Sequence, residues 1–140
     1  MIYMSNSVYH LRLDVACPSF VIRATNLTER RNYNGLEKLY KKQLTDYADR
    51  VDVFEQLTIQ YMGFLEGADA HAWSQMAKTT EGLYNKRVSN KDSSDYFRIA
   101  KEISIQKLIA QAWGKAGNKK KSEKLKKEAD ERLETAREKK

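Results

Sequence analysis

Apolar residues recur at three- and four-residue spacings over most of the chain. Leu36, Leu39, Tyr40, Leu44, Tyr47, Ala48 and Val51 form the stripe of an amphipathic helix. The stretch that follows adds Phe54, Leu57, Tyr61, Met62 and Leu65, with Val53, Ile59 and Phe64 on other faces. A helix apolar on so many sides belongs at the centre of a fold. Nothing between Leu36 and Met62 breaks a helix, so one long helix is allowed, and so are two bending near Asp49-Arg50. Gly67 to Asp69 then interrupts. Asp69 is placed to cap a helix carrying Ala72, Trp73, Met76, Ala77, Thr80, Leu83 and Tyr84.

Residues 85–94 are polar and turn-rich and predict a loop. Ser94 or Asp95 can cap the next helix, which runs through Phe97, Ile99, Ile103, Ile109, Ala112, Trp113 and Ala116. Gly117 stands where a helix C′ residue is expected, because the left-handed conformation is cheapest for glycine. Asn118 can cap a last helix over 119–138. There Ser122, Leu125, Ala129, Leu133 and Ala136 make a narrow seam on a charged rod. A seam this thin packs on one neighbour.

Ahead of the helices the pattern changes. Residues 8–15 alternate from His10 onward, as in a strand, and Pro18 breaks the run before a second β-prone stretch, Ser19 to Thr25. Residues 1–27 are therefore expected to form a β or extended arm, either a hairpin or a segment that pairs only in an oligomer. Residues 28–140 are expected to form one helical domain. The fold class is all-α, a bundle of four or five helices or a short helical-hairpin array.

The spacing of Ile109-Ala110, Trp113, Gly117-Asn118, Ser122 and Ala129 resembles a tetratricopeptide-type helix pair. In that family a small residue admits the second helix, an aromatic follows, and alanines line the second helix beyond a Gly turn. Ile59, Gly67, Ala72 and Met76 show the same spacing more faintly. Lys126 stands where the family has an apolar aromatic, and the two units lie fifty residues apart rather than about 34. The resemblance implies a scaffold that binds proteins or peptides and is not a catalyst.

Composition narrows the class. Apolar residues make up 41% and aromatics 10%, as in a globular domain, and one Pro with six Gly suits helices. Cys17 is the lone cysteine, so an intrachain disulfide is excluded. No signal-peptide pattern or membrane-length apolar run occurs, which predicts a soluble, cytoplasmic protein without a membrane partner. The net charge of +7 is uneven: residues 51–84 carry Lys78 against five acids, whereas residues 85–140 hold seventeen basic against nine acidic side chains.

Candidate chemistry is sparse. His10 and His71 lack companion ligands, and Asp69 and His71 diverge on a helix, so neither a metal nor a cofactor is expected. Cys17 could act as a nucleophile only if His10 lay beside it. Ser104 and Lys107 have a hydrolase-like spacing without a companion motif, and no phosphate-binding glycine loop is present. Asn26-Leu27-Thr28 is a glycosylation sequon, without meaning in a cytoplasmic chain.

Two surfaces are the better candidates. Tyr33, Tyr40, Tyr47, Phe54 and Tyr61 recur at every seventh position. They read as a base-stacking platform, as a groove for a partner helix shared with Trp73 and Trp113, or as a packing seam. Lys119, Lys120 and Lys121 open the last helix, followed by Lys124, Lys126 and Lys127. Cations there oppose the helix dipole, which points to an anionic partner. Lysine without arginine favours contact with charge over reading of bases. Against this, Glu123 with Lys127 and Glu128 with Arg132 are spaced as ordinary surface pairs. A second cluster, Arg30, Arg31, Lys38, Lys41 and Lys42, would favour nucleic acid if it shared a face with the first. The expected function is a non-enzymatic protein interaction module that adapts, chaperones or regulates and can form homo-oligomers. A nucleic-acid binder driven by charge is the alternative.

Overall fold

A computed structural model describes residues 18–139. Among these the chain forms six α-helices and no strand: α1 (Pro18–Glu29), α2 (Tyr33–Asp46), α3 (Val51–Phe64), α4 (Ala70–Leu83), α5 (Tyr96–Lys115) and α6 (Lys119–Lys139). The expected strand at 8–15 lies outside the described residues. The β-prone stretch from Ser19 is instead α1. Its β-branched Val21 and Ile22 suggest a strand locally, but Phe20, Ala24 and Leu27 follow a helical spacing. Pro18 opens the helix at a position where its missing N–H costs nothing. Phe20 and Ala24 are buried, and the Phe20 ring meets Tyr40 edge-on at 5.1 Å. Burial against α2 overrides local propensity.

The apolar stretch from 35 to 66 divides into two helices, as the bend near Asp49-Arg50 allowed. α2 stops at Asp46, and α3 starts after Arg50. The reversal brings Tyr40 against Tyr61, their rings stacked at 4.7 Å and nearly parallel. Instead of one line of aromatics, the heptad pattern gives two helices that meet in the core. With α1 and this division, the helices number six rather than four or five.

Three of the interhelical connections share a left-handed residue. At α1–α2, α3–α4 and α5–α6 it is Arg31 (φ 55°), Gly67 (φ 83°) and Gly117 (φ 89°) respectively. In the first and third turns the bonds match one for one. Asn32 N–H donates to the Leu27 carbonyl and Arg31 N–H to Thr28; Asn118 N–H donates to Trp113 and Gly117 N–H to Gly114. This is the Schellman arrangement. The same asparagines then cap the next helices, Asn32 Oδ1 accepting from Gly35 N–H at 3.0 Å and Asn118 Oδ1 from Lys121 N–H at 3.1 Å. Asp69 caps α4 through Ala72 N–H, and Asp95 caps α5.

α3 lies between α1 and α5, α2 packs along α4, and α5 joins α4 to α6. α6 packs extensively only on α5, as its narrow seam predicts. Ser122, Ala129 and Ala136 are buried, whereas Leu133 is only half-buried. A Cβ on Gly114 would stand 3.2 Å from the Ser122 hydroxyl, so the helices touch closely there.

One buried group is unsatisfied. Thr80 Oγ1 on α4 is fully enclosed, with no hydrogen-bond partner among the described residues. A buried hydroxyl without a partner costs about 1–3 kcal/mol, and valine keeps its shape. Thr80→Val is expected to raise stability by about 1 kcal/mol, read as a higher urea midpoint at unchanged slope.

Candidate functional site

The aromatic candidates are core residues. Tyr40, Phe54 and Tyr61 are almost completely enclosed, and Trp73 and Trp113 are 6% exposed. Tyr47, at the end of α2, is half-buried. Of the open alternatives these positions match the packing seam, and the enclosed rings offer a partner no stacking face. Trp113 is held from two sides. Its Nε1–H donates to Glu81 at 3.1 Å, and the Lys121 ammonium lies 4.6 Å from its ring centre while pairing with the same Glu81 oxygen at 3.0 Å. Lys121 is thus committed within the fold, tying α6 to α4.

The other candidate lysines remain outside. Lys119, Lys120, Lys124 and Lys127 are exposed, as is Lys126, and none forms an ion pair among the described residues. Neither pair expected along α6 forms: Glu123 and Lys127 stay apart, and Arg132 turns away from Glu128 towards Glu102. α6 is strongly divided. Residues 119–127 carry six lysines against Glu123, whereas residues 128–138 carry five acids against Arg132 and Arg137. At about 1.5 Å per residue the cationic part spans roughly 12 Å.

Two concavities adjoin this cationic end. A cleft of about 690 Å³ runs between α6 and the chain that follows α4, bordered by Lys120 and Lys124 on one side and Lys91 on the other. Ile109, Leu125 and Tyr84 contribute to its lining, as do the acids Glu81 and Glu128. Beside it a shallower depression of about 610 Å³ is lined by Ser74, Lys78, Trp113, Lys119, Lys120 and Lys121, with no acidic residue. The two share Asn118, Lys120 and Lys121, so they adjoin in one lysine-rich surface across α4, the turn and α6, with Glu81 and Glu128 on the cleft side. Neither Lys78 nor Lys91 stands in a charge run, so the sequence alone carries no signal of them. The second basic cluster sits on the α1–α2 turn and α2, which packs on α1, α3 and α4 and makes no comparable contact with α6.

The wall carrying Lys91 is built by a polar clasp. After α4 the helix widens into a π turn, Tyr84–Val88, closed by Ser89 N–H donating to the Tyr84 carbonyl at 2.9 Å. This replaces the start of the expected loop. Beyond it the chain is anchored to Glu102 of α5, which is completely enclosed. Asn90 N–H donates to both Glu102 oxygens at 3.1 and 3.2 Å. Arg98 Nε lies 2.8 Å from one oxygen, and Arg132 Nη2 of α6 lies 2.8 Å from the other. Arg98 also donates to the Val88 carbonyl, and Arg132 to the Tyr84 hydroxyl and to Gln106. Burial, and then the negative charge of Glu102, hold the Tyr84 hydroxyl above the ordinary tyrosine pKa.

The remaining chemical candidates do not converge. Ser104 donates to Glu55 of α3, whereas Lys107 pairs with Asp130 of α6 at 3.2 Å, so the two members of that motif face different helices. His10 and Cys17 lie outside the described residues, and His71 is exposed at the start of α4. Among the described residues no three His, Cys, Asp or Glu side chains gather as metal ligands, and no helix is long and apolar enough to cross a membrane. Comparison with protein-family models, curated proteins and solved structures finds no match.

Proposed function

We propose that the chain is a non-enzymatic, cytoplasmic interaction module whose paired helices, tetratricopeptide-like in their turns, present a basic surface to an acidic protein. The observation that carries this reading is the gathering of Lys78, Lys91, Lys119, Lys120 and Lys124, from three segments and without ion-pair partners among the described residues, around two adjoining concavities. A protein partner is favoured over nucleic acid because the lysine surface offers no exposed aromatic to stack a base and no arginine to read one.

The placement of charge gives a test that separates function from folding. Lys119 and Lys120 stand in the first turn of α6, where a cation opposes the helix dipole. Lys119→Glu with Lys120→Glu is expected to stabilise the chain by about 0.3–1 kcal/mol per site. The same variant should lose its partner. The test is affinity capture from the source cells after nuclease treatment, with bound proteins identified by mass spectrometry, beside thermal melting of bait and variant. A variant that melts higher and no longer retains acidic proteins supports the reading. Undiminished capture, or capture that vanishes on nuclease treatment of the wild type, overturns it. In the second case binding should fall steeply with salt, as phosphate contacts require.

A further inference from the structure

Resting on that reading, we infer that the cleft between Lys91 and α6, together with the depression beside it, is the docking site for one acidic peptide segment. The segment's carboxylates meet Lys78, Lys119 and Lys120 at the depression and Lys91 and Lys124 at the rim of the cleft, and an apolar side chain of the same segment enters the cleft. The division of labour follows from the linings. Around the depression Lys78, Lys119, Lys120 and Lys121 stand without an acid, and only Lys121 is neutralised, by Glu81. The cleft differs in having Glu81 and Glu128 among its lysines, and the half-buried Leu125 beside the enclosed Ile109 within its lining. A uniformly anionic ligand would meet Glu128 there, with no cation paired to it among the described residues. A ligand anionic at one end and apolar beyond it meets complementary groups along the whole surface.

Two further features fit an occupant of this kind. The facing wall is not a free loop, because Glu102 fixes Asn90 next to Lys91, so the cleft is preformed and the ordering cost on binding is small. Glu81 and Lys121 line the cleft and also hold the Trp113 indole. A carboxylate that draws Lys121 towards itself changes the surroundings of that ring, so occupancy reports on Trp113 fluorescence.

The experiment uses the full chain and a fluorescein-labelled peptide made of a run of aspartates followed by a leucine. Anisotropy gives its Kd. In a second, unlabelled titration a Trp73→Phe chain isolates the emission of Trp113. The expected result is saturable binding with an emission shift at the same midpoint. Lys91→Ala with Lys124→Ala should raise Kd about five- to tenfold, from two charge contacts. Lys126→Ala with Lys127→Ala, on α6 but outside both linings, should change it less than about twofold. Alanine in place of the peptide's leucine should weaken binding several-fold. All four lysines are exposed, so both double variants should fold, which circular dichroism checks. Equal losses from the two lysine pairs, no dependence on the leucine, absence of the Trp113 shift, or tighter binding of an oligonucleotide of equal charge would each overturn the inference. If the Lys91→Ala, Lys124→Ala chain still captures acidic proteins that the Lys119→Glu, Lys120→Glu chain loses, the cleft is excluded and the interaction reading survives.

Discussion

Glu102→Ala is expected to destabilise the chain by about 3–5 kcal/mol, the range for breaking a buried ion pair by removing one partner. The carboxylate is the one anion that Arg98 and Arg132 share, and the side chains of these arginines are only 26% and 17% exposed. Its removal leaves two guanidinium groups short of a counter-ion and the Asn90 N–H without its acceptor. The loss is therefore a desolvation penalty more than a missing attraction. Urea unfolding measures it, and hydrogen exchange locates it, with protection lost first in residues 84–94 and along α6. Removing the whole clasp, Glu102→Leu with Arg98→Met and Arg132→Met, should recover much of the stability, because apolar groups of similar volume leave no buried charge unpaired. A single alanine variant that unfolds within about 1 kcal/mol of the wild type would show that the carboxylate is not acting as a buried counter-ion.

Alkali should unfold the chain from its centre. Tyr40 and Tyr61 stack while almost fully enclosed, and among the described residues the Tyr40 hydroxyl reaches only Gln60, at 3.4 Å. Burial raises both hydroxyls far above the ordinary tyrosine value, reinforced at Tyr40 by Tyr61 and at Tyr61 by Glu37. The acid form is the neutral one, so the folded state keeps its protons above pH 10 while the unfolded state releases them. Stability is then constant below about pH 10 and falls above it, by about 1.4 kcal/mol per pH unit for each tyrosine. Two such groups amount to about 4 kcal/mol by pH 11.5, with Tyr84 adding in the same direction. Urea midpoints at pH 9 and pH 11 measure the slope, and phenolate absorbance should rise together with the loss of helical signal. Tyr40→Phe with Tyr61→Phe should flatten the dependence; an unchanged slope in that variant would assign it to other groups.

The parts of this fold that could be read from sequence are those where one residue type answers one physical need. Gly117 with Asn118, and Asp69, announce their turns because a left-handed residue and a side-chain acceptor are required there. The α1–α2 turn has the same bonds yet was hidden, because Arg31 occupies the left-handed position where glycine would have been recognised. α1 was concealed by Val21 and Ile22, whose local preference opposes the spacing of its buried face. Periodicity located the aromatic residues correctly on helices but could not say whether their faces meet solvent or each other. Of the surface, the lysines of α6 were legible as a run. Lys78 and Lys91 join them only through the packing of α4 and the anchoring of the π turn. Glu102 was the least visible, since spacing alone makes Arg98–Glu102 look like an ordinary surface pair.

The seam between α5 and α6 has a consequence for alignment. Ser122, Ala129 and Ala136 recur every seven residues, and small side chains at that interval fit a partner helix almost as well after sliding by one heptad. Packing alone would leave α6 with near-equivalent registers. Arg132 lies between two of these small residues, and its guanidinium meets an enclosed carboxylate on α5 in only one of them. A shift by seven would leave the enclosed Glu102 without Arg132, at a cost of several kcal/mol. The clasp therefore sets the register of α6, and with it the position at which the lysines of its first turns stand beside Lys78 and Lys91.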